Sequence, residues 1–228
     1  MLTITFYAHA SFRLEADGLA VVTDPYTPGA HGSGFDRIDE PADLVVMSSA
    51  TDRFHSDPSH VSGDPIVVNA LELPPEGALV GGLRIRPFPA YESLTFDFGG
   101  RDPDANALYL FELGGIRVLH MGDIGNPVPP EHLDALAGEV DLLLALTGAH
   151  ATIALDDLDR AIERIRPGAI IPMHYHSPKG VLAIEPVERF LDRFPAAEVR
   201  RVGSSRLELT REMLGHDRPV VFVLDQSR

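Results

Sequence analysis

Histidine and aspartate side chains follow two apolar segments of the sequence, at the points where strands are predicted to end. One such segment ends at His120, and Asp123 comes three residues later, after a glycine. The other ends just before His174 and His176, which share one side of an extended chain while Tyr175 faces the other. Imidazole and carboxylate groups that converge at strand ends are ligands for Zn²⁺ and similar metals. A single histidine of this kind is more often a hydrogen-bonded structural residue, whereas two such segments in one chain leave a metal site and a structural role equally open.

The elements that must position these residues are short strands in the first half and alternating strands and helices in the second. Strand patterns of alternating or continuous apolar residues cover positions 2–7, 12–15, 19–23, 44–47, 65–69, 83–88, 107–112, 116–120, 141–146, 169–173, 206–210 and 220–224. Helical spacing or helix-end signals cover positions 130–137, 155–165 and 186–194. A sheet-rich half followed by this alternation predicts a single α/β domain over residues 1–228, with two sheets face to face and helices outside.

Two polar segments are predicted to be loops that shape a site. Residues 27–41 are rich in glycine, proline, aspartate and histidine, and a loop of this length in a compact domain is often functional. Residues 96–104 form the second segment. Neither contains a recognition motif, so the sequence does not identify a substrate.

The composition excludes several classes of function. The chain has 34 acidic and 19 basic side chains, a formal net charge of -15, and no basic cluster that could bind a nucleic acid or an anionic membrane. It has no cysteine, so a metal must be held by histidine and carboxylate groups. With neither a secretory leader nor a long apolar span in the sequence, we expect a cytoplasmic protein. Its expected partner is a small molecule, and homo-oligomerisation is left open.

The order of several motifs resembles that of the metallo-β-lactamase superfamily. These motifs are Ala8-His9-Ala10-Ser11, a strand ending at Asp24-Pro25, the strand 44–47, His120-Met-Gly-Asp123 and Pro172-Met-His174-Tyr. The branch that they resemble most is that of the ascorbate-phosphate-lactonase-like Zn-dependent hydrolases. The resemblance implies a four-layer αββα sandwich with two mixed sheets, a metal site at one edge, and hydrolysis of an ester, lactone, amide or phosphoester. It also implies that Asp123 bridges two metals and that His174 binds the second.

The sequence departs from the family pattern where the family carries HxHxDH. Residues 48–55 read Ser-Ser-Ala-Thr-Asp-Arg-Phe-His. Aligned without a gap, the family ligands are replaced by Ser49, Thr51, Arg53 and Phe54. A one-residue bulge would bring His55 into the last ligand position, and Glu92 lies near the place of another family histidine. Neutral hydroxyls are poor ligands and an arginine repels a dication, so we predict that the two-metal centre is not intact.

The leading hypothesis is a hydrolase with a reduced metal site, acting on a small-molecule ester, lactone or phosphoester. It predicts at most one zinc or other divalent ion, held by Asp123, His174, Glu92 and His55, with Asp123 and His55 as the catalytic residues. Further side chains are predicted to support the site or to contact substrate: His9, Asp24, Arg53, His120, His150, Tyr175 and His176. For His9 and Asp24 we expect a supporting role rather than ligation.

Two alternatives remain open. In the first, the protein is a metal-free, non-catalytic ligand-binding or interaction module, and Arg53 either balances the acidic side chains of the cleft or clamps an anionic ligand. In the second, acid/base chemistry without a metal pairs His55 or His120 with Asp123 or Asp57. Metal analysis of untreated protein distinguishes the first alternative from the metalloenzyme.

Overall fold

The computed structural model describes residues 1–29, 34–52, 54–93, 104–150, 152–180 and 182–228. Its strands are β1 (Leu2–Ala8), β2 (Ser11–Ala16), β3 (Leu19–Thr23), β4 (Leu44–Met47), β5 (Ile66–Asn69), β6 (Ala78–Val80), β7 (Leu83–Ser93), β8 (Asp104–Leu113), β9 (Ile116–His120), β10 (Leu142–Leu146), β11 (Ala169–Met173), β12 (Val199–Arg201), β13 (Arg206–Leu209) and β14 (Val220–Val223). Its α-helices are α1 (Pro130–Leu136), α2 (Leu155–Ile165) and α3 (Glu188–Leu191).

The strands form two mixed sheets. The first has the order β13-β1-β2-β3-β4-β5 and the second the order β12-β14-β11-β10-β9-β8-β7-β6. Tight turns join the antiparallel neighbours: Asp17 and Gly18 both have positive φ between β2 and β3, as do Gly114 and Gly115 between β8 and β9. Such turns match the twist of a hairpin, and Asp-Gly and Gly-Gly pairs favour them. The two sheets confirm the predicted α/β sandwich.

Helices α1 and α2 connect the parallel strands β9, β10 and β11 of the second sheet. Helix α2 buries Leu158, Ala161, Ile162 and Ile165, which share one face because they lie three or four residues apart. It ends at Arg166, whose left-handed backbone caps the helix directly before a proline. These crossovers bring the carboxyl ends of β9, β10 and β11 to one edge of the sandwich, where polar loops follow them.

Loop segments cover the outer face of the first sheet. Tyr26, Phe35 and Ile38 from the loop after β3 pack with Tyr7 and Val45 of the sheet in a small apolar cluster that is separate from the main core. Within the predicted long loop, residues 30–33 lie outside the described residues, as do positions 96–103 of the second predicted loop.

The structure extends or shortens some predicted elements. Strand β7 continues to Ser93 through Pro87 and Pro89, which have no backbone N–H to donate. The prolines are tolerated because β6 pairs only with residues 83–85 of β7, so they lie beyond the part of the strand that β6 covers. Helix α3 is shorter than the apolar spacing predicted, and the short strands β6 and β12 were not predicted. No helix of the described residues is long and apolar enough to cross a membrane.

Candidate metal centre

Three histidines from distant parts of the chain meet at one edge of the sandwich. His9 lies in the turn between β1 and β2, His55 in the loop after β4, and His174 directly after β11. Their ring centroids are 5.0 to 5.2 Å apart, and Nε2 of His55 is 3.4 Å from Nδ1 of His9. The three are at most 7% exposed. This arrangement, the imidazole cluster, places one ring nitrogen of each histidine within 4.8 Å of the others.

Two buried carboxylates adjoin the imidazole cluster on the side of His55. Nδ1 of His55 is 3.2 Å from Oδ2 of Asp52 and 3.3 Å from Oδ2 of Asp123. The other oxygen of Asp123 is 3.6 Å from Nε2 of His174. Imidazole nitrogens and carboxylate oxygens therefore face one another around a common space, which is the donor set that divalent transition metals bind.

Asp52 owes its position to a local turn that the sequence analysis did not anticipate. Its Oδ1 accepts hydrogen bonds from the backbone N–H groups of Phe54 at 2.7 Å and His55 at 3.2 Å. This side-chain turn folds the loop so that the carboxylate lies beside the imidazole three residues later. The bulge considered for His55 was the signal that could have identified Asp52, because a shift by one residue moves the aspartate as well.

The backbone around the imidazole cluster is strained. His9, Asp24, Ala149 and His174 have φ between 36° and 56°, a region that side-chain-bearing residues seldom adopt. All four follow strand ends on the same edge of the sandwich. Strain of this kind persists only where surrounding contacts enforce it, and it is concentrated at functional sites.

Asp123 is held by a turn that has no room for a side chain at its first residue. A Cβ on Gly122, whose φ is 62°, would lie 2.4 Å from the carbonyl oxygen of Ala107 and 2.4 Å from Oδ1 of Asn106. That same Oδ1 accepts the backbone N–H of Asp123 at 3.1 Å. Strand β8 therefore fixes the turn through which β9 presents Asp123.

Asp24 and His120 lie beneath the imidazole cluster and bind the backbone of its loops. Oδ1 of Asp24 accepts the backbone N–H of Ser48 at 2.7 Å and its hydroxyl at 2.8 Å. Oδ2 of Asp24 accepts the hydroxyl of Tyr109 at 3.0 Å and lies 3.2 Å from Nδ1 of His120. Burial raises the pKa of Asp24 to about 7 and lowers that of His120 to about 3. Both residues anchor loops and lie outside the imidazole cluster.

The three histidines of the imidazole cluster differ in the direction of their pKa shifts. Burial alone would lower the pKa of His55, but the carboxylates of Asp52 and Asp123 outweigh it and raise that pKa well above the ordinary value. Burial lowers the pKa of His9, and the neighbouring histidines lower it further. Burial also lowers the pKa of His174, although Asp123 opposes the shift. His9 and His174 are therefore neutral at pH 7 and have lone pairs to offer a cation.

Glu92 lies among the acidic groups of the cleft. Burial, followed by the charges of Asp123, Asp52 and Asp104, raises its pKa to about 9. Its carboxyl is therefore protonated at pH 7 in the absence of a cation. The structure does not bring Glu92 into either group of side chains whose ligand atoms converge within 4.8 Å.

Unpartnered polar atoms test whether these residues fit a metal. Within the described part of the chain, both ring nitrogens of the 2% exposed His174 and Oδ1 of Asp123 have no hydrogen-bond partner. A buried polar atom left without a partner costs about 1–3 kcal/mol, so it normally indicates a missing ligand or water. One ring nitrogen of His174 lies within 4.8 Å of ligand atoms of His9 and His55, and its Nε2 is 3.6 Å from Oδ1 of Asp123, so the residues present fit a cation.

The remaining predicted residues have different positions. His150 is exposed and lines a cavity of about 610 Å³, together with Gly125, two residues after Asp123. Tyr175 donates its hydroxyl to the carbonyl of Leu224 at 3.1 Å, so it points away from the imidazole cluster. His176 is exposed and lines a cavity with Tyr175 on that other side. The prediction for Arg53 lies outside the described residues.

Comparison with known proteins identifies the family. A family model described as the β-lactamase superfamily domain matches residues 3–174. The chain belongs to this superfamily. One curated relative is a metal-dependent hydrolase from Thermococcus onnurineus. It is 26% identical to this β-lactamase superfamily protein over 196 residues, which cover 78% of this chain and 86% of the relative. Another from Carboxydothermus hydrogenoformans is 26% identical over 201 residues, covering 77% and 85%.

A solved structure supports the same assignment. The crystal structure of a Thermotoga maritima protein, described as a proposed Zn-dependent hydrolase of the metallo-β-lactamase superfamily, is 29% identical and superposes with a TM-score of 0.74, over 99% of this chain and 100% of that one. This β-lactamase superfamily protein thus has the metallo-β-lactamase fold. The relatives and the solved structure to which it is similar are named as metal-dependent or Zn-dependent hydrolases.

Proposed function

We propose that this protein is a hydrolase with a single divalent metal ion, bound by His9, His55, His174 and Asp123. The observation that carries the proposal is the environment of His174, a buried imidazole with no hydrogen-bond partner among the described residues. It faces two further imidazoles and a carboxylate. Of these four ligands, His9 replaces the Glu92 expected from the sequence.

The spacing of the donor atoms supports this ligand set. Zinc–nitrogen bonds of about 2.0–2.1 Å in tetrahedral geometry place neighbouring donor atoms about 3.4 Å apart. The separation is 3.4 Å between Nε2 of His55 and Nδ1 of His9, and 3.6 Å between Nε2 of His174 and Oδ1 of Asp123. Two ring nitrogens that face each other at this distance form only a long hydrogen bond, whereas a cation between them satisfies both.

Asp52 has a supporting role in this proposal. Its Oδ2 lies 3.2 Å from Nδ1 of His55, where it accepts the proton of that nitrogen. A carboxylate in this position fixes the tautomer and leaves Nε2 as the metal-binding atom. Asp52 therefore orients His55 and increases its basicity.

The donor set also supports one metal rather than two. At the positions of the paired family histidines, the hydroxyls of Ser49 and Thr51 lie 3.3 Å from each other. Neutral hydroxyls are weak ligands, and Glu92 belongs to neither group of described side chains whose ligand atoms converge within 4.8 Å. The imidazole-rich set around His174 favours zinc or a similar transition metal.

A metal at this place would polarise the bond to be hydrolysed and lower the pKa of a water molecule. The protein's own contribution is to hold Asp123 and the imidazoles rigidly and to surround them with buried groups that exclude bulk water. A cavity of about 610 Å³, lined by Gly125, Ala149 and His150 but by none of the four proposed ligands, is within the usual range for small-molecule sites, about 300–1,000 Å³. We therefore propose a small-molecule ester, lactone or phosphoester as substrate, with His150 at the cavity wall.

Metal analysis tests the proposal directly. Protein purified without chelator should contain close to one equivalent of a transition metal. His174→Ala and His55→Ala should weaken zinc binding by more than about 100-fold, because supporting residues alone contribute about 10–100-fold. His176→Ala is the matched control, since this exposed histidine lies only two residues from His174 and should leave binding unchanged.

Metal content and metal binding distinguish the proposed single-metal hydrolase from its alternatives. Two equivalents of metal would contradict the single-metal centre, and no binding on titration with Zn²⁺ or Co²⁺ would favour the metal-free ligand-binding module. If metal binds, assays with p-nitrophenyl esters, lactones and phosphodiesters should show hydrolysis that is lost with His174→Ala and kept with His176→Ala.

A further inference from the structure

His120 makes one hydrogen bond to each of two loops of the candidate metal centre. Its Nε2 is 2.8 Å from the carbonyl oxygen of Ala10, in the turn that carries His9. Its Nδ1 accepts the backbone N–H of Gly122 at 3.0 Å, in the turn that presents Asp123. Because Gly122 donates to Nδ1, the proton of the neutral ring is on Nε2, which donates it to Ala10.

A third loop is attached to the same chain of contacts. The carbonyl oxygen of His9 accepts the backbone N–H of His174 at 2.9 Å. The position of the His9 turn therefore determines that of His174 as well. Through Ala10 and Gly122, His120 connects loops from both sheets that carry three of the four proposed ligands.

The packing around His120 fixes the orientation of its imidazole ring. It is fully buried and stacks on the ring of Tyr109 at 4.9 Å with an interplanar angle of 8°, while Phe12 contacts its edge. Oδ2 of Asp24 lies 3.2 Å from its Nδ1. A ring enclosed in this way has one orientation, so its two hydrogen bonds fix a distance between the loops.

We infer that His120 is a positioning residue that sets the separation between the His9 turn and the Asp123 turn. The inference rests on the proposed single-metal centre and adds to it a role for a side chain that lies outside the ligand set. It predicts that each hydrogen bond of His120 contributes to metal affinity through a different ligand.

Two substitutions separate the hydrogen bonds. The shorter amide of His120→Asn reaches the place of Nδ1 and keeps an acceptor for Gly122, but loses the donor to Ala10. The longer amide of His120→Gln reaches the place of Nε2 and keeps the donor to Ala10, but loses the acceptor. Each should lower Zn²⁺ affinity by about 10–100-fold, as for other side chains that orient ligands.

A double-mutant cycle with His9→Ala shows through which ligand each substitution lowers the affinity for Zn²⁺. The loss caused by His120→Asn acts through the His9 turn, so it should become smaller when His9 is already removed. The loss caused by His120→Gln acts through Asp123, so it should be similar with and without His9. A role in overall stability alone would couple both substitutions to His9 equally, and that result would overturn the inference.

The wild-type protein provides a test that does not depend on folded variants. Nuclear magnetic resonance of the His120 ring should show the proton on Nε2 and slow exchange of the Gly122 amide. A proton on Nδ1 instead would overturn the inference. If wild-type protein binds zinc and both variants bind it equally well, only this inference fails; if wild-type protein binds none, the proposed function fails with it.

Discussion

At the scale of single residues, Gly122 connects stability with the geometry of the site. Its positive φ of 62° disfavours any other residue, and a side chain would also collide with Ala107 and Asn106 at 2.4 Å. These neighbours hold the turn that presents Asp123. The glycine is therefore needed for both the turn and the position of the carboxylate.

Gly122→Ala should consequently destabilise the protein by more than the conformational cost of about 1–2 kcal/mol for a positive φ. Overpacking adds about 1–3 kcal/mol. Gly115→Ala is the matched control, because Gly115 has a φ of 73° but nothing within 4 Å of the added Cβ. Urea unfolding of both variants measures the difference, and equal losses would contradict the close contact around Gly122.

At the scale of elements, Asp141 fastens the beginning of β10 to that of β9. Its carboxylate accepts the backbone N–H of Arg117 at 2.9 Å and the guanidinium at 3.1 and 3.0 Å, and Arg211 lies 3.4 Å away. Burial raises the pKa of Asp141, but the hydrogen bonds and charge of Arg117 outweigh it, so the pKa is lowered. These contacts lie at the strand ends opposite to those that carry His120 and His174.

The sign of this shift predicts a pH dependence. Because the folded pKa of Asp141 is below the unfolded value of about 3.9, its contribution is complete above about pH 4 and is lost as the pH falls through the folded pKa. The difference in free energy of unfolding between wild type and Asp141→Asn should therefore be constant from pH 5 to 7 and shrink below pH 4. Glu139→Gln, which removes a more exposed partner of Arg117, should change stability little at any pH. A constant difference down to pH 3 would contradict the assignment.

At the scale of the whole molecule, a buried polar contact joins the two sheets beneath the candidate metal centre. The hydroxyl of Tyr109, from the second sheet, donates to Asp24 at the end of β3 in the first sheet. The ring of Tyr109 stacks on His120, and Asp24 holds the loop that begins at Ser48. Packing of the two sheets and formation of the site therefore depend on the same residues.

Tyr109→Phe should lower the stability of the whole domain by about 1–3 kcal/mol, since it leaves a buried acceptor with one partner fewer. It should also raise the pKa of Asp24 further, because the Tyr109 hydrogen bond lowers that pKa. Hydrogen exchange should speed up in both sheets alike. Tyr26→Phe is the control: its hydroxyl binds the carbonyl of Asp36 within the outer loop, so exchange should change there first. An effect of Tyr109→Phe on one sheet alone would argue against the link.

Local sequence patterns account for most of the fold. Apolar alternation located the main strands, an Asp-Gly and a Gly-Gly pair indicate two hairpins, and the spacing of Leu158, Ile162 and Ile165 placed α2, because these features depend on residues near in sequence. The local pattern predicts this strand only to Phe88, directly before Pro89, because a proline is acceptable within a strand only where no neighbour pairs with its nitrogen, and this depends on how far β6 pairs along β7. The paired neighbour, rather than the local sequence, decided its length.

The sequence alone determined the chemistry available to this protein. Without cysteine, the side chains that it offers a transition metal are restricted to histidine and carboxylate. Only the tertiary structure decided which donors meet. His9 and His55 are 46 residues apart in the chain, and their contact depends on a strained turn and on the side-chain turn at Asp52. Tyr175 likewise turned towards Leu224, because a nearby carbonyl was there to accept its hydroxyl. Such contacts arise from long-range packing, which no local pattern encodes.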